Sequence, residues 1–152
     1  DNNLDINGSA VLNVHITTKK LDAFYAAGAS TIQLQNELNA TKVIVNLTGA
    51  CTFSGTMFVN ELNTDLTGAS NLNISGSANS VELDATGASN MTDYGFETNN
   101  FNCDLEGACN AYLTIQQSLN VMANGGSNVY YKGHGVVSSQ DLGGGSTIQK
   151  MN

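Results

Sequence analysis

The feature that most limits how this chain can fold is a glycine that keeps returning at nearly constant spacing. Gly8, Gly28, Gly49, Gly68, Gly87, Gly107, Gly125 and Gly144 are separated by 20, 21, 19, 19, 20, 18 and 19 residues. A period near 20 held along the whole chain marks a solenoid, in which each unit buries its apolar side only against its neighbours. The best-formed unit is Leu66-Thr67-Gly68-Ala69-Ser70-Asn71-Leu72.

The pattern inside the unit decides the kind of solenoid. Six, four and two residues before the glycine stand Val43, Val45 and Leu47, then Leu62, Thr64 and Leu66, then Val81, Leu83 and Ala85. Phe101, Cys103 and Leu105 follow, and then Leu119, Val121 and Ala123, with mostly polar residues between. Strict alternation is the strand period, one face in and one face out. After the glycine it resumes, with Ser or Cys two residues on (Ser30, Cys51, Ser70, Ser89, Cys109, Ser127) and an apolar residue four on (Ile32, Phe53, Leu72, Met91, Ala111, Val129). Two helices cannot fit into 20 residues rich in Asn, Thr and Gly. The chain is therefore read as an all-β, parallel β-helix of about seven to eight coils. At the strand spacing of about 4.8 Å the rod is on the order of 40 Å long. Glycine belongs at the bend, where φ is positive and a Cβ would clash. The Ser/Cys column behind it faces a tight interior.

Identical outward residues then stack into columns. Asn71, Asn90, Asn110 and Asn128 fall three residues past successive glycines, and stacked amides at this spacing form a hydrogen-bond ladder. Asp65, Asp84 and Asp104 fall three before, with Asn46, Asp5 and Asp141 in the same phase and Glu82 and Glu106 on the same face. Two carboxylates about 5 Å apart repel by roughly 0.8 kcal/mol even at the dielectric of water, so this column needs solvent or a cation. A solvated acidic face is the simpler reading. The alternative is an all-oxygen calcium site on Asp65, Asp84 and Asp104.

Length and charge narrow the function. The 152 residues make one domain, 1–152, with residues 140–152 read as a C-terminal cap. The chain opens in a strand pattern without a leader, and the reading expects that an N-terminal part of the natural protein is missing. A net charge of −8, with five Lys and no Arg, excludes nucleic acid as a partner and gives no support to docking on an anionic membrane. No apolar run is long enough to span a bilayer. Cys51 and Cys109 lie three coils apart, too far for a disulfide, and Cys103 faces inward in its own strand. All three read as small buried residues rather than metal or redox groups. His15 and His134 are isolated, and neither belongs to a nucleophile motif. No catalytic residue is assigned.

The Leu-Thr-Gly-Ala-Ser units, followed by Val129-Tyr130-Tyr131-Lys132-Gly133, Val136-Val137-Ser138-Ser139 and Gly143-Gly144-Gly145-Ser146, resemble the auto-transporter adhesin, head GIN domain family of bacteria, a Bacteroides-type domain of unknown function. The resemblance covers nearly the whole chain. It implies a right-handed β-helix on a secreted, periplasmic or cell-surface protein, and it supplies no catalytic residues. Family members carry additional strands ahead of the region matched, which agrees with the expectation of a missing N-terminal part.

The functional reading is thus a non-enzymatic adhesin-like binding or scaffold module that contacts glycan or a surface protein through its polar repeat face. No exposed aromatic platform is expected to repeat as the Asn and Asp columns do. The alternative is a polysaccharide lyase or hydrolase with a calcium-binding acidic ladder. A lyase would want a basic proton acceptor, often Arg, which is absent, whereas a hydrolase could use the carboxylate pair Asp84 and Asp104. A third reading is homo-oligomerisation through the coil ends or through side-by-side faces. No cofactor is assigned other than the calcium alternative.

Overall fold

The computed structural model describes residues 15–16 and 20–152. Gly8, Asp5 and Lys19 lie outside them. The described chain is all strand: β1 Ala23–Gly28, β2 Thr31–Gln33, β3 Leu38–Gly49, β4 Thr52–Gly68, β5 Asn71–Gly87, β6 Asn90–Gly107, β7 Asn110–Gly125, β8 Asn128–Lys132, β9 Val136–Leu142 and β10 Thr147–Lys150. Every pairing is parallel, and β3 to β7 stack in chain order. A residue pairs with its repeat equivalent, as in Gly49 with Gly68, Asp65 with Asp84 and Asn71 with Asn90. Each long strand wraps one coil, so the chain is a parallel β-solenoid.

The corner glycines work as the sequence demands. Gly28, Gly49, Gly68, Gly87, Gly107, Gly125 and Gly144 all have positive φ, from 62° to 107°. Stacking adds a second constraint: a Cβ on Gly68 would stand 2.5 Å from the Gly49 carbonyl oxygen, and one on Gly87 2.4 Å from that of Gly68. The close approach serves a bond, because the Ala69 and Ala88 amides donate to those same carbonyls at 2.7 Å.

Behind each corner the Ser/Cys column is buried from Cys51 to Ser127, whereas Ser30 in the first described coil is exposed. These side chains do more than fit a small space. The hydroxyls of Ser70 and Ser89 donate to the carbonyls of Thr67 and Thr86, three residues back, at 3.0 and 3.1 Å. The Cys51 and Cys109 thiols make the same bond at 3.3 and 3.5 Å. One hydrogen bond inside the bend thereby closes each corner, and Ser or Cys can supply it.

The core is a narrow stack of the inward residues. Leu47, Leu62, Leu66, Phe101, Leu105 and Leu119 are fully buried, and so are Phe53, Leu72, Ala111 and Val129 after the corner. Thr64 and Thr98 are polar exceptions, and their hydroxyls donate to the carbonyls of Glu82 at 3.2 Å and Asn100 at 3.0 Å. Burying a Leu or Phe side chain contributes roughly 1.5–3 kcal/mol, and this solenoid gathers that term in small, equal steps along its axis.

Coil length varies away from the glycine corner. Gln33 pairs with Ser54 and Leu38 with Met57, so the first described coil holds two additional residues between those pairs. The segment from Asn36 to Lys42 is mostly strand, because β3 begins at Leu38. The stretch Gly49 to Gly107 carries a bulge: Thr92 pairs with Tyr112 but Glu97 with Thr114. The Asp93 carboxylate accepts the Gly95 N–H at 2.6 Å and folds the extra residues into a local turn. At the far end β9 runs through Gln140, stacked on β7, and β10 lies on β8.

Candidate functional site

Three outward features can meet a partner. The first is the acidic column. Asp65, Asp84 and Asp104 are paired in register across β4, β5 and β6, with Asn46 before them and Met122 and Asp141 after. All three are exposed, as are Glu82 and Glu106 beside them. The carboxylate of Asp65 accepts a hydrogen bond from the Thr67 hydroxyl at 3.3 Å. Partial burial, followed by the charges of Glu82, Asp104 and Asp65, raises the Asp84 carboxyl above its ordinary range. Among the described residues the Lys–carboxylate pairs are Lys20 with Asp22 and Lys42 with Glu61, both at 3.2 Å and both outside this column. Among the described residues, no three His, Cys, Asp or Glu side chains gather as a set of metal ligands.

The second feature is the amide column. Asn90 donates to the Asn71 side-chain oxygen at 3.2 Å, Asn110 to Asn90 at 2.9 Å and Asn128 to Asn110 at 3.1 Å. The Thr147 hydroxyl closes the end on Asn128 at 2.7 Å. The second amide hydrogen of Asn71, Asn90 and Asn128 goes to a backbone carbonyl two residues back, at 3.0 to 3.3 Å. The ladder expected from the sequence is present, and most of its donors are engaged within the protein. Shorter ladders join Asn79 to Asn99 at 3.0 Å and Asn102 to Asn120 at 2.7 Å.

The third feature departs from the expectation that no exposed aromatic group repeats. Tyr112 and Tyr130 are register partners on β7 and β8, with ring centroids 4.9 Å apart and planes within 16°. Tyr94 meets Tyr112 edge-on at 5.7 Å, and the Lys132 ammonium sits 4.8 Å above the Tyr94 ring. All four are half-buried on the outside of the coil. Part of this signal is in the sequence, since Tyr112 and Tyr130 each follow a corner glycine by five residues. Tyr94 follows Gly87 by seven, and only the bulge at Asp93–Gly95 brings it into the group.

The cysteines and histidines lie apart from these three features. Cys51, Cys103 and Cys109 are free and buried. Burial pushes the thiols of Cys103 and Cys109 up, away from the reactive thiolate. His134 bonds Gln116 at 3.0 Å on the surface, and His15 is exposed.

The repeat with its glycine corners, small-residue column and coil register is the pattern of a known family. The family model described as "Putative auto-transporter adhesin, head GIN domain" matches residues 1–135. The chain belongs to this family. Comparisons of the head GIN domain with curated proteins and with solved structures returned no match. Among its described residues, no helix is long and apolar enough to cross a membrane. What the family name adds is an adhesin-like character on a β-solenoid whose outer surface is laid out in columns.

Proposed function

We propose that this head GIN domain is a non-catalytic adhesive module acting outside the cytoplasm, which contacts glycan or a surface protein through the polar outside of its solenoid. The observation that carries the reading is the surface plan. Polar side chains repeat in register along the axis, so a long partner meets the same chemistry at each coil and gathers many weak contacts. Enzymes, by contrast, hold one acid or base in a singular environment. Here the carboxylates are exposed, repeated and equivalent in position. The adhesin description of the family supports the same reading, including the extracytoplasmic location.

A glycan and surface-protein array probed with the purified chain tests it. Binding that a rigid, folded chain shows and a heat-denatured one loses supports the proposal. Turnover of a polysaccharide panel, abolished by Asp84→Ala, would replace it with the enzymatic alternative.

A further inference from the structure

The amide column is largely bonded within itself and the acid column repels anions, whereas the tyrosine group sets hydroxyl donors beside a positive charge. Among the described residues, the hydroxyls of Tyr94, Tyr112 and Tyr130 have no hydrogen-bond partner. The rings are already fixed against one another, edge-on at 5.7 Å and stacked at 4.9 Å. A partner binding their hydroxyls therefore meets little loss of side-chain freedom.

Charge decides what kind of partner fits. Lys20 and Lys42 face carboxylates at 3.2 Å, but among the described residues Lys132 and Lys150 pair with none; Lys132 rests on the Tyr94 ring at 4.8 Å and Lys150 on the Tyr131 ring at 5.7 Å. The nearby Asp93 is engaged by the Gly95 amide at 2.6 Å. The outward neighbours in register, Thr92 before Tyr112 and Gln149 after Tyr130, are uncharged. An ammonium is a donor only and a phenol donates readily, so the group presents donors and one unpaired positive charge on an otherwise acidic molecule. Its three tyrosines come from neighbouring coils, about 4.8 Å per step along the axis, so an extended ligand can follow them.

Resting on the adhesive reading and deepening it, we propose that Tyr94, Tyr112, Tyr130 and Lys132 form a contact site for an acidic polysaccharide. Lys132 pairs with an anionic group of one sugar, and the phenol hydroxyls donate to oxygens of its neighbours.

The test is affinity electrophoresis and calorimetry of the full chain at physiological ionic strength with polygalacturonate, dextran sulfate and neutral dextran. Lys132→Gln removes the charge. The triple variant Tyr94→Phe, Tyr112→Phe, Tyr130→Phe removes the hydroxyls but keeps the stacked rings, so it is expected to fold. At least one acidic polymer is expected to bind, with affinity falling about tenfold in either variant, as loss of a charge-assisted or multiple hydrogen-bonded contact predicts. Which polymer binds identifies carboxylate or sulfate as the anionic group. Binding of dextran as strong as that of the acidic polymers overturns the proposal, as does binding unchanged in both variants or no binding of either acidic polymer. If the wild type binds other array ligands while Lys132→Gln has no effect on them, this site falls and the adhesive reading stands. If the array is also blank, both fall.

Discussion

The amide column Asn71, Asn90, Asn110 and the carboxylate column Asp65, Asp84, Asp104 stand three residues on either side of the same corner glycines, Gly68, Gly87 and Gly107. Both are stacked by the same parallel register. An amide is donor and acceptor at once, so each Asn satisfies the next at about 3 Å. A carboxylate only accepts, so each Asp can offer its neighbour nothing but repulsion. The same geometry yields an internal staple on one side and a hydrated negative strip on the other. Repetition in a solenoid therefore multiplies whatever chemistry the unit carries, favourable or not.

The comparison can be broken most severely at the corner both columns share. Gly87→Ala places a methyl 2.4 Å from the Gly68 carbonyl oxygen at a φ of 86°, and should cost about 3 kcal/mol or more. Denaturant unfolding would measure it; a loss under about 1 kcal/mol would mean the corner can shift and is not what holds the columns in register. Next comes Asn90→Asp, which writes the acid chemistry into the amide ladder. It removes donors to Asn71 and Ala88 and should destabilise by about 2 kcal/mol at neutral pH. An unchanged midpoint would show that the ladder is geometry without energy.

The reverse exchange, Asp84→Asn, should stabilise, by on the order of 1 kcal/mol or less given exposure and screening. Its pH dependence has a definite sign. The folded Asp84 carboxyl titrates above the ordinary value of 3.8, so the folded state holds the proton more tightly than the unfolded state. The wild type carries the penalty at neutral pH and sheds it as pH falls through the raised folded value toward 3.8. The advantage of Asp84→Asn should therefore shrink on acidification, and an advantage constant from pH 7 to 4 would assign it to something other than charge. Smallest is the effect of ions. Sodium chloride should slightly raise the melting temperature of the wild type relative to the Asp65→Asn, Asp84→Asn, Asp104→Asn variant. Calcium at matched ionic strength should do no more. A larger shift with calcium, lost in that variant, would make the column the calcium site that the sequence raises as an alternative.

Much of the fold was legible because the repeat encodes it locally. Glycine at the corner, alternation on either side and one residue type per column leave little choice of strand, register or face. The inward positions from Val43 to Ala123 and the amide ladder both follow from phase counted from glycine alone. Departures occur where that phase breaks. Two extra residues enter between Gln33 and Leu38, and the bulge around Asp93 rests on a local hydrogen bond to Gly95 rather than on the repeat. The tyrosine group was missed for the same reason, since Tyr94 is out of phase in the sequence and joins its neighbours only through that bulge. The bond from each Ser or Cys to the carbonyl three residues back was also hidden, because small size alone explained the column.

The direction of the hydrogen bonds has a mechanical consequence. In this rod every inter-coil bond, from Ala69 to Gly49 in the backbone to Asn110 to Asn90 in the side chains, runs along the axis. Tension applied lengthwise would load one coil-to-coil seam at a time, so the rod should yield stepwise, each released coil paying out roughly 20 residues of slack, on the order of 65 Å when extended. A tether built this way would absorb a sudden pull by lengthening while the coils beyond the break kept their shape.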